Sequence, residues 1–226
     1  MHGKPFSIRE YWGRIYPEQE YAVKTWNLLT SRLFKLLEDY IALIEMRKNE
    51  TNKKFYLAKA YRKRQKENLF KAAIKSAGIE LEKQTFRNTE YLQGQHDLSF
   101  EKYDYVASSN RKEKTNLQEV SDHLDAYILA AKLRQACYAL SREIVNQEKC
   151  EIGLLPEILD YVDQHPGSQK IPAVAIYYHC YLAISSIDSE QNFLRLREAI
   201  SAYQHYFPPS EMLDIYTLAI LSLIHI

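Results

Sequence analysis

The stretch Leu117–Ile144, LQEVSDHLDAYILAAKLRQACYALSREI, reads as one uninterrupted helix and decides the fold class. Its apolar residues run from Leu117 through Val120, Leu124 and Ile128 to Leu133, Leu140 and Ile144, with neither Gly nor Pro among them. Thr115-Asn116-Leu117-Gln118 supplies a capping-box pattern at its start. The centre, Tyr127 to Ala131, is apolar all round, which predicts a helix sandwiched between neighbours on several sides. Such a helix needs other helices, and the composition supplies them. Only 6 Gly and 7 Pro punctuate 226 residues, and Leu, Glu, Ala and Lys are among the commonest residues, so the class is all-α. A chain of this length buries roughly 70% of its unfolded surface, enough for a sizeable core.

Towards the C-terminus the helices shorten. Leu155 to Gln164 is stopped by His165-Pro166-Gly167; Pro172 to Ile187 follows; Glu190 to Tyr206 is stopped by Pro208-Pro209; and a last helix opens at Ser210. The links are a few residues long, which makes sequential helices antiparallel neighbours. Phe193, Leu196, Ile200, Tyr203 and Phe207 step by three and four, so that helix buries one face against the helix before it. Leu124-Asp125-Ala126-Tyr127 is echoed in Leu213-Asp214-Ile215-Tyr216, with Ile176-Tyr177 between them. This weak echo predicts tetratricopeptide-like antiparallel helix pairs, an α-solenoid, over 115–220. The full tetratricopeptide pattern of Trp, Gly and small residues is missing, so a degenerate relative is expected.

Towards the N-terminus, Ser7-Ile8-Arg9-Glu10 forms a capping box, and Pro17 followed by Glu18 and Glu20 predicts the start of a second helix. Trp26, Leu29, Leu33, Leu36, Tyr40 and Leu43 then step by three and four along one seam, flanked by Leu37, Ile41 and Ile44. The spacing is that of a coiled coil, but fewer than three heptads favour an intramolecular core over a zipper, so a partner helix is expected within the chain. Residues 52–64 and 67–83 read as two helices, or one bent near Gln65, and Thr89 to Val106 as another. Ser108 to Lys114 holds no apolar residue, which sets the expected boundary between an N-terminal helical bundle over 1–107 and the repeat region.

Leu37-Glu38-Asp39-Tyr40, Arg87-Asn88-Thr89-Glu90-Tyr91, Thr115-Asn116-Leu117-Gln118, Ser121-Asp122-His123-Leu124-Asp125 and Ile171-Pro172-Ala173-Val174-Ala175-Ile176-Tyr177-Tyr178 together resemble a bacterial family of larger helical-repeat proteins over most of residues 10–220. The resemblance implies a longer natural protein and brings no activity, ligand or catalytic residue with it. The last six residues, 221–226, look like a translated sequencing-library adaptor arriving mid-helix, which gives the expectation of a truncated chain with an artefactual tail. An apolar hexamer closing a natural helix is the alternative. A cut repeat would leave the face of Met212, Leu213, Ile215, Tyr216 and Ile220 bare.

The net charge of +1 conceals a polarised chain. Arg47 to Lys75 carries eleven Lys or Arg against two Glu, a balance of +9, whereas 118–226 carries seven basic and fourteen acidic residues, a balance of −7. Lys59, Arg62, Lys63, Arg64 and Lys66 could meet nucleic-acid phosphates. They surround the helix with one aromatic among them, which reads better as a solvated surface. Three cysteines without a C-x-x-C pair argue against a zinc knuckle or a disulfide framework and fit a reducing compartment. The polar, aromatic start disfavours secretion and membrane spanning, and cytoplasm is the default location.

No metal, phosphate-loop or nucleophile-elbow pattern is present, so the expectation is a non-enzymatic chain without a cofactor. His179 and Cys180 diverge by about 100° on a helix, which suits neither chelation nor a nucleophile–base pair. Asp122, His123 and Asp125 sit near a helix start, where carboxylates complement the dipole. The 18 tyrosines are mostly core filler, but Tyr178, Tyr181 and Tyr203 are candidates for lining a concave surface. The expected function is protein or peptide binding in an extended groove. Nucleic-acid binding through 47–75, or service as the regulatory arm of a catalytic domain elsewhere in a longer protein, are the alternatives.

Overall fold

The computed structural model describes residues 7–109, 114–186 and 189–222, so most of the 108–114 connection and of the terminal hexamer lies outside the described residues. Among them are ten α-helices and no strand: α1 (Ile8–Ile15), α2 (Val23–Lys48), α3 (Glu50–Lys63), α4 (Glu67–Glu82), α5 (Thr89–Ser109), α6 (Leu117–Asn146), α7 (Leu155–Gln164), α8 (Pro172–Ser185), α9 (Glu190–Tyr203) and α10 (Pro209–Leu221). Short 3-10 turns occupy Pro166–Lys170 and Gln204–Tyr206. The chain forms two compact units, Met1–Lys53 and Lys54–Ile226. The division falls inside α3, and α5 and α6 pack on one another across the 108–114 connection.

In the first unit the capping box is present. The Ser7 hydroxyl accepts from the Glu10 amide at 3.3 Å, and the Ser7 amide donates to the Glu10 carboxylate, which lies below the ordinary carboxylate range chiefly through that bond. Pro17 does not open a helix. Residues 16–22 form a turn and an extended link, pinned to α1 by buried Trp12, whose Nε1 donates to the Gln19 carbonyl at 2.9 Å and whose ring packs on Tyr16 and Tyr21. Among the described residues of this unit, no helix covers the α2 seam as expected. No α2 residue is buried, and Leu33 and Leu36 are each 66% exposed. Length explains this: α1 spans about 12 Å against about 39 Å for α2, too short to cover the seam.

In the second unit α4 runs antiparallel to α5, and α5 to α6. Between α4 and α5, the Tyr91 hydroxyl meets Glu82 at 2.9 Å while Phe70 stacks on Tyr105 at the far end. Gly94 permits the close approach there, since a Cβ at that position would lie 3.1 Å from Leu81. Between α5 and α6, Asn116 reaches Ser99 and Arg134 reaches Glu90. Asn116 is the N-cap of α6 but makes no capping bond, because its amide donates instead to the Ser99 carbonyl and the Glu119 carboxylate; the capping-box reading of Thr115 to Gln118 does not hold. The Gln65 break between α3 and α4 is a left-handed residue at φ 56°.

The helix surrounded on all sides is α8 rather than the centre of α6, where Ile128 faces solvent. Ala173 to Tyr178 are six consecutive buried residues, enclosed by α6, α9 and α10. Burying each large apolar side chain there contributes roughly 1.5–3 kcal/mol. One apolar cluster runs from Phe55 to Leu218. Met212 and Ile215 belong to it, so of the five α10 residues expected to be bare only Leu213, Tyr216 and Ile220 are exposed.

Cys137 and Cys180 are buried and Cys150 is exposed. Burial first, and Cys180 second, push the Cys137 thiol well above its usual range, and its Sγ donates to the Tyr177 carbonyl at 3.3 Å. A thiol reagent at pH 8 therefore labels one cysteine rapidly in the native protein and all three after denaturation. Rapid labelling of a second thiol would contradict this packing.

Candidate interaction site

The feature that organises the second unit is a buried carboxylate. Glu211 lies in the first turn of α10, where the helix dipole favours a negative charge. Its Oε2 accepts from Asn88 Nδ2 at 2.7 Å and its Oε1 from the Tyr177 hydroxyl at 2.6 Å, with Arg134 Nη1 3.9 Å away. Asn88 precedes α5, and its own Oδ1 accepts from the Tyr91 amide, so one side chain caps α5 and ties it to α10. Arg134, on α6, completes the set by donating to Glu90 at 2.7 Å. Four helices therefore converge on one charge. Burial, then the Glu211 charge and hydrogen bond, drive the Tyr177 phenol far upward, so it stays a protonated donor throughout the physiological range.

This network fixes α10, and α10 walls two grooves. One, between α9 and α10, has a volume of about 360 Å³ and is lined by Phe193, Leu196, Ile200, Tyr216, Ala219 and Ile220, with exposed Arg197 at its edge. The other, between α6 and α10, is about 430 Å³ and more polar, with Ser141, Arg142, Asp214 and Thr217 among its walls. A third, of about 250 Å³, lies between α6 and α7. Leu154 on its rim holds a left-handed backbone at φ 65°, a conformation that costs a leucine about 1–2 kcal/mol.

Of the three tyrosines picked from the sequence, Tyr178 and Tyr181 lie one turn apart on α8, and Tyr203 ends α9. Tyr178 is buried, with its hydroxyl 3.5 Å from Asp163; Tyr181 and Tyr203 are half-buried against the core, and Tyr203 packs on Tyr206. The grooves above are lined by other residues, with Tyr216 the aromatic beside Phe193. The basic segment is partly neutralised. Arg62 bonds Glu101 and Asp104, both at 2.6 Å, and its guanidinium pKa rises mainly through the Glu101 bond. Lys59 lies 4.2 Å from the Phe55 ring centroid, and Arg64 donates to the Ala60 carbonyl. Lys63 and Lys66 remain exposed. Among the described residues no group of three metal-ligating side chains is assembled. The reading from sequence missed Glu211 and Asn88, because a carboxylate after Pro208-Pro209 and an Asn before a helix each have a sufficient local explanation.

Comparison with protein-family models, with curated proteins and with solved structures returns no match, so the functional reading rests on this geometry.

Removing the carboxylate strands two donors, Asn88 Nδ2 and the Tyr177 hydroxyl, and takes a counter-charge from Arg134. Glu211→Ala should cost about 3–5 kcal/mol of unfolding free energy in urea, and Glu211→Gln, which keeps one acceptor oxygen, about 1–3 kcal/mol. Equal and small losses would show that the network is not what holds α10. The tyrosines give a pH signature. Burial, then the bond to Glu82, push the Tyr91 phenol up to about 12 from its ordinary 10. Between those values the unfolded chain releases a proton that the folded chain keeps, so stability falls as pH rises from about 10 to about 12, and Tyr91→Phe flattens that slope.

Proposed function

We propose that this chain is a helical-repeat interaction scaffold, tetratricopeptide-like in stacking helix pairs, whose α9–α10 groove receives an amphipathic helix of a protein partner. The observation that carries this reading is the groove's lining. Phe193, Ile200, Tyr216 and Ile220 offer aromatic and branched anchors, and Arg197 stands beside them as a cation. Apolar anchors at helical spacing fill such a groove, and an acidic residue on the same helix would meet Arg197. The helices supply the rigid walls, and the Glu211 network keeps α10 from repacking when the groove fills.

The nucleic-acid reading is weaker on the same page. Arg62 and Lys54 are engaged with carboxylates outside the segment, which leaves fewer cations than the +9 balance counts. Phosphate binding through the remainder would fall steeply with salt.

A photo-crosslinking amino acid at Tyr216 should trap a protein partner, and Ile200→Asp should abolish the trapping while far-ultraviolet circular dichroism stays unchanged. Unchanged trapping in the Ile200 variant would remove the groove from the reading. Oligonucleotide binding that weakens by orders of magnitude between about 50 and 200 mM salt, and is lost with Lys63→Ala and Lys66→Ala together, would replace the scaffold reading with the nucleic-acid one.

A further inference from the structure

We propose that α2 pairs antiparallel with the α2 of a second copy of this chain, its heptad seam closed by reciprocal Arg32–Asp39 ion pairs. The inference is independent of the α9–α10 groove. Three observations carry it.

The first is the pattern of exposure. Leu33, Leu36 and Tyr40 on the seam are 59–66% exposed, and Leu43 is 39% exposed. The opposite line of the helix, Lys24, Ser31, Glu38 and Glu45, is polar at every heptad position, so the helix has a dry side and a wet side. Covering the exposed area of Leu33, Leu36, Leu37, Tyr40, Leu43 and Ile44 removes on the order of 600 Å² per copy, three-quarters of the roughly 800 Å² a side of a standard interface.

The second is size complementarity, which distinguishes the two orientations. With the seam as positions a and d, an antiparallel pair faces Trp26 with Leu43, Leu29 with Tyr40 and Leu33 with Leu36 of the second copy, repeated by the twofold axis. Each aromatic meets a leucine. A parallel, in-register pair would instead stack Trp26 on its equivalent and Tyr40 on its equivalent.

The third is charge. Positions flanking the seam set orientation in paired helices. In the antiparallel register Arg32 of each copy falls beside Asp39 of the other, giving two ion pairs, and the other flank is uncharged, with Ile44 beside Val23 and Leu37 beside Thr30. A parallel pair places Arg32 beside Leu37 and Asp39 beside Ile44, with no ion pair at all. Among the described residues neither Arg32 nor Asp39 takes part in an ion pair, and both are exposed.

The test is sedimentation equilibrium of the full chain under reducing conditions, with circular dichroism confirming the helix content of each variant. The wild-type chain is expected to dimerise. Arg32→Asp places like charges against Asp39 and should weaken the dimer roughly tenfold, as should Asp39→Arg. The double variant R32D/D39R should dimerise within about threefold of wild type, and an equimolar mixture of the two single variants should form heterodimers, because both ion pairs are then restored with reversed polarity. A chain still monomeric at about 100 μM overturns the proposal, including the case in which α2 amides resist hydrogen exchange because the seam is covered within its own chain. A dimer that neither single charge reversal weakens, or that R32D weakens without restoration in the double variant, overturns the antiparallel pairing. Failure of the crosslinking at Tyr216 leaves these outcomes untouched, so the two readings fall separately.

Discussion

The second unit depends on placing one carboxylate where water cannot solvate it. Moving an ion such as Glu211 out of water costs several kcal/mol unless donors replace the lost hydration, and here Asn88, Tyr177 and the nearby Arg134 replace it from three other helices. The arrangement adds little net stability over a well-packed apolar one. Its effect is selective, because a slip of α10 by one turn, about 5.4 Å, would leave a buried charge and two buried donors unpaired. Apolar contacts such as Ile215 and Leu218 against the core tolerate a slip far better than hydrogen bonds of 2.6–2.7 Å do. The grooves on both sides of α10 inherit that definition.

What the sequence made legible was punctuation. The Gln65 break, the stop of α7 at His165-Pro166-Gly167, the start of α8 at Pro172 and the stop after Tyr206 all follow from local backbone chemistry, and the structure places helix ends within a few residues of each. Misreadings arose where one residue had a competing partner. Pro17 has the composition of a helix start, but the Trp12 indole captures the Gln19 carbonyl and holds the segment as a turn. Asn116 has the composition of a cap, but its amide is spent on Ser99, seventeen residues away. The apolar centre of α6 suggested full enclosure, whereas the structure gives that place to α8, whose Ala173, Ala175 and Ala183 let neighbours approach closely. Periodicity reports that a face is apolar and says nothing of which partner covers it, as the α2 seam shows.

The candidate site was less legible than the fold, for a reason of range. The charge count over 47–75 treats each lysine and arginine as free, yet Lys54 pairs with Glu80 and Arg62 with Glu101 and Asp104, across 26 to 42 positions of chain. Glu101 is itself nearly buried, so Arg62 serves as its counter-charge; removing Arg62 would strand a carboxylate. Asn88 and Glu211 lie further apart still. Composition and spacing cannot see such pairs, nor that Tyr178 sits in the core while Tyr216 and Phe193 line a groove.

The two proposed surfaces obey different physics, and their combination has a consequence for affinity. A groove of about 360 Å³ with a handful of apolar anchors suits modest, reversible binding of one helix, because ordering that helix offsets much of the gain from burial. A seam of six heptad positions closed by a twofold axis is self-limiting and gives a pair, because the same patch is used up on both copies. Pairing through α2 therefore places two grooves in one assembly. A partner that carries two matching helices would bind the second at a millimolar-scale effective concentration, raising apparent affinity by roughly 10²–10⁴ without any new contact, and a partner with one helix would gain nothing. Discrimination between such partners would then rest on the pairing of α2.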